Sequence, residues 1–501
     1  RGEWPPMAPI QSSWVSAAAL VVAAAFAGTE GNNDPEQCRV PTSPSPAPSG
    51  TSSATSACPN ANPRRIRRLE WIRGETNANQ IARVGTPAIV QGDVPSKNWE
   101  VLAVWKDLDG FVSSYRGRPE VAIENIYRSP TRNITYFNPS MPLANARRVS
   151  WKAPFSHAAM PAKTLVDLIE KRVPGHGNHY YLMGNLQEDP WFEPVQAILP
   201  TDESIRNYIV DDKRLAKNPT EFSFNVWLGE ANLTAMAHFD SYHNFYIQVS
   251  GRKRFVLLPL CSWKQLKLYP YIHPSARQSI LGVQAAAADY KVRTDVEKCP
   301  FQPEVVDLEP GDVLYIPPYW FHEVSSMENS ISVNVWTTSK DEATITTLAG
   351  EAVPFVNDFN SLEVDLMVFD MLGRIVNGFE NLSGEEGITL IDSMILLQFD
   401  AIGFTPNQDL NTPLVRGASC NFLMNKVESS LTQKQKGIVR DHAAYILNGL
   451  QNVSSDVLEV SFGIFVQWLA AWSAGGDKTV EYMACVRAFV ADAKEVDIVL
   501  K

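Results

Sequence analysis

Cysteine is scarce in this chain, with six in 501 residues and no two of them close in sequence. That spacing excludes a Cys-x-x-Cys zinc array and defines no disulfide framework. Basic charge is also short: 44 Lys and Arg against 55 Asp and Glu leave a formal net charge of -11, which argues against a protein that coats nucleic acid. Long apolar runs near the start are missing as well. Ala17 to Ala27 is apolar for only eleven residues, too few to span a bilayer. The run follows Met7 and carries small residues at Ala25 and Ala27, so a secretory signal peptide is expected, with the endoplasmic reticulum lumen or the exterior as destination and the cytoplasm as the alternative.

What is present divides the chain into three parts. Residues 1–63 read as a leader followed by a Pro/Ser/Thr-rich linker over 39–63 that cannot bury enough apolar surface to fold, with Cys38 and Cys58 on either side of it. Arg64-Arg-Ile-Arg-Arg68 reads as a solvated edge of the next unit. Residues 64–340 carry mixed α/β and then strand patterns; Pro87 to Gln91 is a short strand and Pro161 to Lys171 has helical spacing. Residues 341–501 turn helical. Leu362, Leu366, Phe369, Leu372, Ile375, Val376 and Phe379 form one stripe, and Val457 to Trp472 is apolar nearly all round but interrupted by Glu459 and Gln467, which fits a buried helix better than a membrane span. Such stripes suit a monomer core or a homodimer contact equally. Glycosylation sequons begin at Asn133, Asn232, Asn381 and Asn452, of which Asn232 is expected to stay bare because it leads into the strand discussed next.

The chemistry concentrates in two segments. His238-Phe-Asp240 places an imidazole and a carboxylate two residues apart, hence on one face of a strand, and His322 closes Gly311-Asp-Val-Leu-Tyr-Ile-Pro-Pro-Tyr-Trp-Phe-His322. Two histidines and one carboxylate cover one face of an iron(II) octahedron and leave three positions open. Around them, alternation puts Phe245, Ile247 and Val249 opposite Asn244, Tyr246 and Gln248, and Ile331, Val333 and Val335 opposite Ser332, Asn334 and Trp336. Polar residues on an inward face are costly without partners, and a metal with a small anion would supply them. Ser250-Gly251 marks a turn with Arg252 to Leu258 returning. Lys253 then either meets an anion inside or belongs to a solvated hairpin corner. His243 is expected to be a hydrogen-bonded bystander, and Tyr319-Trp320-Phe321 to pack at a strand end.

The segments HFDSYHNFYIQVSGRKRFVLLP, LYPYIHP, LEPGDVLYIPPYWFHEV and ISVNVW, in this order, resemble the JmjC or cupin-like 2-oxoglutarate oxygenases over about Arg64 to Thr338, particularly the subgroup typified by the asparaginyl hydroxylase that inhibits hypoxia-inducible factor. The resemblance implies an α+β protein: a double-stranded β-helix (jelly-roll) core with supporting helices and an all-α C-terminal region. It implies iron(II) on His238, Asp240 and His322, with 2-oxoglutarate and O2 as cosubstrates. Lys253 matches the position that pairs with the distal carboxylate of 2-oxoglutarate, Asn244 and Asn334 match pocket-lining positions, and Tyr181 in His179-Tyr-Tyr181-Leu-Met is the nearest match for a tyrosine reaching that carboxylate. One position departs: the subgroup's threonine three residues before the first histidine is Ala235 here, and Thr234, one step back, is its candidate replacement, subject to any local bulge. No side chain is nominated as acid or base. The expected function is hydroxylation of a protein side chain. A cupin-fold scaffold without turnover, or an oxygenase acting on a small molecule, tRNA or methyl-lysine, stays open.

Overall fold

The computed structural model describes residues 66–137, 152–173, 177–210, 221–292, 302–406 and 409–499. The expected leader, the Pro/Ser/Thr-rich linker, Cys38 and Cys58 lie outside them. In chain order the strands are β1 (Arg67–Trp71), β2 (Ala88–Gly92), β3 (Ala122–Ser129), β4 (Asn133–Ile134), β5 (Ser156–Pro161), β6 (His179–Asn185), β7 (Phe222–Gly229), β8 (Thr234–Phe239), β9 (Tyr242–Ser250), β10 (Lys253–Leu258), β11 (Glu304–Leu308), β12 (Val313–Ile316), β13 (Phe321–Ser326) and β14 (Ser330–Thr338). They form a nine-stranded sheet, ordered β1-β2-β12-β9-β14-β7-β6-β3-β5, and a five-stranded sheet, ordered β11-β10-β13-β8-β4. The strands β12-β9-β14-β7 and β11-β10-β13-β8 make the two facing halves of the jelly roll.

Three apolar layers hold these sheets, and the sequence alternation decides which residue enters which. Phe245, Ile247, Val249, Ile331, Val333 and Val335 face away from the barrel, against the helices Ala78–Ala82, Leu108–Ser113 and Ala162–Ile169. Between the sheets lie Tyr181, Trp227, Ala235, Tyr246, Leu257, Val324 and Trp336. On the far side of the small sheet, Ala237, Phe239, Leu258 and Phe321 share one continuous core with the C-terminal helices. The helical region is therefore seated on the barrel rather than tethered to it.

The turn at Ser250-Gly251 is present, but β10 does not pair back onto β9 as a hairpin would. Instead the chain crosses from the large sheet to the small one, where β10 lies between β11 and β13. Gly251 makes this corner possible: its φ is +66°, and a Cβ there would collide with the Asn329 carbonyl. Arg67 and Arg68 are exposed on β1, the outermost strand of the large sheet.

The C-terminal region is built from helices, including Lys340–Gly350, Ser361–Gly378, Gly387–Met394, Cys420–Ser430, Gln433–Leu450, Ser455–Ala474 and Thr479–Val499, with one small hairpin (Pro413–Val415 and Ala418–Ser419) among them. Helix Ser361–Gly378 starts on a capping box: Asn360 Oδ1 accepts from the Glu363 N–H at 3.1 Å, and Glu363 Oε2 accepts from the Asn360 N–H at 3.0 Å. Of its apolar stripe, Leu366 to Phe379 are buried, while Leu362 in the first turn stays 46% exposed. Ser455–Ala474 is long and apolar enough to cross a membrane, yet 72% of its apolar window is buried within the protein. Gln467, one of the polar interruptions, explains why this helix belongs inside. Its Oε1 accepts from the Tyr271 backbone N–H at 2.7 Å and its Nε2 donates to Gln398 Oε1 at 2.8 Å. Cys420 and Cys485 are joined by a disulfide across this region, a pairing their spacing does not reveal.

Replacing Gln467 with Leu orphans a buried backbone donor and a buried amide, each worth about 1–3 kcal/mol. A lower urea midpoint for Gln467→Leu is expected. An unchanged midpoint would mean that the Tyr271 N–H has a second partner.

Candidate metal and anion site

The site grows from the pairing of β8 with β13. His238 and His322 are direct cross-strand partners, and their rings face each other with centroids 4.2 Å apart. Asp240 follows the end of β8, where its carbonyl accepts from the Tyr319 N–H at 2.6 Å. Nitrogen and carboxylate atoms of His238, Asp240 and His322 all lie within 4.8 Å of one another. His322 Nε2 is 3.5 Å from Asp240 Oδ2.

The imidazole tautomers follow from their neighbours. His238 Nδ1 sits 2.7 Å from the Met236 carbonyl and His322 Nδ1 sits 3.0 Å from the Trp320 carbonyl. A carbonyl only accepts, so each Nδ1 carries the proton and each Nε2 presents a lone pair to the shared centre. Burial, followed by the nearby His322, pushes His238 down to about 4, so it is neutral near pH 7. Burial alone would raise Asp240, but the contacts with His322 and His238 outweigh it and hold the carboxyl below its usual range. Two imidazoles and one carboxylate converging on one point suit a divalent ion such as iron(II).

Deeper between the sheets stands Lys253. It is fully buried, so the solvated-corner alternative does not apply, and its Nζ donates to Tyr246 Oη at 2.9 Å. The ammonium lies over the rings of Tyr181 and Tyr246, 5.8 Å and 5.6 Å from their centroids. Among the described residues no carboxylate pairs with it, and burial drives its pKa down to about 7. An ammonium in this position calls for an anion. Asn244 and Asn334, both buried on the inner face, are linked to each other: Asn334 Nδ2 donates to Asn244 Oδ1 at 2.9 Å, and Asn334 Oδ1 accepts from Trp227 Nε1 at 2.8 Å. Ser332 Oγ donates to Gln248 Oε1 at 2.8 Å. Much of the polar demand of the inner face is thus met within the protein, and what stays unmet is the charge of Lys253.

Thr234 does not join this group. A bulge gives β8 one extra residue between Ala235 and His238, opposite His322 and Val324 of β13. Ala235 therefore sits in the layer between the sheets, while the Thr234 hydroxyl is bonded to Ser325 Oγ at 2.9 Å. Regular alternation had put Thr234 on the same face as His238; the bulge reverses that parity. His243 is a bystander, with Nδ1 2.9 Å from Tyr315 Oη. Phe321 and Trp320 pack as strand-end core.

Three residues at the site carry no signal in the strand pattern. The Tyr136 ring meets His238 edge-on with centroids 5.3 Å apart. Gln278 fixes it by accepting from the Tyr136 N–H at 2.6 Å and donating to the Tyr136 carbonyl at 2.7 Å, and its own backbone bridges to His238. Arg277, beside it, donates to Ser241 Oγ at 3.2 Å and pairs loosely with Glu342 at 3.7 Å. Arg277 and Tyr319 both take left-handed backbone, with φ of +69° and +63°. Such strain in non-glycine residues is typical of sites held by their surroundings. Arg277 and Gln278 directly follow the LYPYIHP segment, the one sequence clue to them.

Two facing sheets with a two-histidine, one-carboxylate centre and a buried lysine between them define a protein of the double-stranded β-helix, JmjC-like class. The comparisons agree: the model of the cupin-like domain matches residues 75–343, more than half of the chain, and the chain belongs to that family. It is 27% identical over 287 residues to JmjC domain-containing protein F of Dictyostelium discoideum, which covers 52% of this chain and 58% of that protein. It is 28% identical over 193 residues to the human bifunctional peptidase and (3S)-lysyl hydroxylase JMJD7, covering 35% and 58%. It is 35% identical over 123 residues to lysine-specific demethylase JMJ30 of Arabidopsis thaliana, covering 24% and 27%. The chain thus spans less than two thirds of the length of each of these relatives.

Burial of Lys253 makes the stability of the ligand-free protein depend on pH with a definite sign. A lysine held near 7 in the fold but near its ordinary 10.5 when unfolded binds its proton more tightly in the unfolded chain. Stability should therefore rise as pH increases from about 7 to about 10.5, by on the order of 5 kcal/mol at most. In Lys253→Met this rise should vanish and the protein should be more stable at neutral pH, as measured by denaturant titration across that range. A wild-type profile matching that of Lys253→Met would show that the ammonium is already neutralised.

Proposed function

We propose that this protein is an iron(II)- and 2-oxoglutarate-dependent dioxygenase that hydroxylates a side chain of a protein or peptide. The observation that carries this reading is the convergence of His238 Nε2, His322 Nε2 and the Asp240 carboxylate in the same interior as a buried ammonium without a carboxylate partner. The two histidines and Asp240 would hold the metal, and Lys253 would bind the far carboxylate of the cosubstrate. Tyr181, packed against Lys253, and the linked pair Asn244 and Asn334 would shape and orient its pocket. When bound, iron(II), 2-oxoglutarate and O2 supply the oxidising chemistry, with a C–H bond becoming C–OH and succinate and carbon dioxide as co-products.

The protein's own part is ligation, orientation and exclusion of water. His238 is 7% and His322 4% exposed, so the centre is largely shielded from bulk water. The lysyl hydroxylase named among the relatives supports a protein substrate, and the net charge of -11 disfavours nucleic acid. The apolar helices of the C-terminal half are largely consumed by its own core, so a homodimer would need surfaces other than those stripes.

Anaerobic titration with iron(II), followed by succinate measurement in air with candidate peptides, tests the reading. Wild type should bind one iron per chain and release succinate from 2-oxoglutarate. His238→Ala, lacking one of three ligands, should lose metal affinity and at least about 100-fold in succinate release. Iron binding without succinate from any peptide would favour a scaffold that keeps the barrel and has lost turnover.

A further inference from the structure

The site leaves two features of the chain unused: its folded-region cysteines and its sequons. Cys420 and Cys485 lie 65 residues apart in sequence, are 3% and 1% exposed, and form a disulfide with a Cα separation of 5.7 Å. The bond ties the start of helix Cys420–Ser430 to helix Thr479–Val499. Cys261, in the turn after β10, is disulfide-bonded too. Structural disulfides placed in packed cores belong to oxidising compartments, since reducing ones hold such thiols free.

The sequons point the same way. Asn133, Asn232, Asn381 and Asn452 are all exposed, whereas none of the buried asparagines Asn185, Asn225, Asn244 and Asn334 begins a sequon. A bulky polar glycan is tolerated only at exposed positions, and every sequon meets that condition. Asn133 pairs with Thr234 in the β4–β8 ladder, and Asn232, in the turn before β8, donates its N–H to the Ser326 carbonyl at 2.7 Å. The other two stand at helix ends. Asn381 lies in the single turn Glu380–Ser383, which stops at Gly384 with φ of +71°. Asn452 lies between helices Gln433–Leu450 and Ser455–Ala474, and its Nδ2 donates to the Asn448 carbonyl at 3.2 Å.

We propose that this protein matures in an oxidising, glycosylating compartment and carries N-linked oligosaccharides at Asn381 and Asn452, on its helical half. In the transfer, the asparagine amide nitrogen bonds to the anomeric carbon of an oligosaccharide carried on a lipid pyrophosphate. The carbon–oxygen bond to the pyrophosphate breaks, its electron pair leaves with the lipid pyrophosphate, and the amide gives up one proton. Each disulfide forms as two thiols pass two electrons and two protons to a disulfide-bearing oxidant of the same compartment.

The full chain, produced in eukaryotic cells behind a secretory leader and in parallel without one, tests this. Glycosidase release in oxygen-18 water should mark Asn381 and Asn452 in the secreted protein, and Asn381→Gln and Asn452→Gln should each remove one glycan from its mass. In the same sample, unfolded in denaturant, Cys420 and Cys485 should resist alkylation until reduced, while the form made without the leader should alkylate at both under the same conditions and melt at a lower temperature. The proposal is overturned if folded, secreted protein bears no mark at either asparagine, or if the chain is retained in the cell with both thiols alkylatable.

Discussion

The register of β8 against β13 is the constraint on which the rest of this structure hangs. With His238 opposite His322, the two imidazoles meet across one ladder step, and Asp240 falls just past the strand end beside them. The same pairing includes the bulge that turns Ala235 inward and leaves Thr234 with Ser325. It also sends Ala237, Phe239 and Phe321 outward, onto the C-terminal helices. A slip of one residue would exchange these faces, presenting phenylalanine to the centre and imidazole to an apolar core. Site and helical region are thus fixed by one ladder.

That link gives the helical half a structural part in the site. Gln467 holds the backbone of Tyr271, and the segment that follows carries Arg277 and Gln278. Gln278 in turn bonds both backbone groups of Tyr136, whose ring rests against His238. From a buried helix to the ring that rests on His238 runs a series of satisfied polar contacts, each expensive to break because water cannot replace the lost partner. Trp263 adds a parallel tie, donating to Glu459 Oε2 at 3.2 Å from the turn after β10.

Legibility in the sequence followed the physics of each signal. Strand parity is strict, so the inward and outward sets on β9 and β14 and the shared face of His238 and Asp240 could be read directly. The apolar stripe from Leu366 to Phe379 is equally plain, because helical periodicity persists over nearly four turns. Features set by tertiary closure were not readable. The crossing of the chain at Gly251 from one sheet to the other looks like an ordinary hairpin corner, and the bulge in β8 inserts a residue without any marker such as glycine. Tyr136 and Gln278 meet across 142 residues, and the Cys420–Cys485 pairing depends on the packing of two distant helices. Only the demand for buried polar partners was overestimated: Asn244, Asn334, Trp227, Ser332 and Gln248 largely satisfy one another.

What those residues do not satisfy is the charge on Lys253, and this shapes the energetics of the whole barrel. Burying an ammonium against tyrosine rings, with no carboxylate among the described residues to pair with it, costs stability. An anion that enters restores the interaction, so part of its binding energy is the relief of a cost already present in the fold. The left-handed residues Arg277 and Tyr319 have the same character: their strain is held by the Phe239 N–H to Arg277 carbonyl bond, at 3.2 Å, and by the short bond from the Tyr319 N–H to Asp240. Elsewhere capping boxes open helices at Asn77, Asn360 and Thr432, and the outward faces of β9 and β14 carry apolar residues. Left-handed residues also occur away from the site, at Asn125, Lys171 and Arg416 among others, so backbone strain alone does not mark this interior. A fully buried lysine beside three convergent groups that could hold a metal is the strongest physical reason to regard this interior as a built site rather than an inherited cavity.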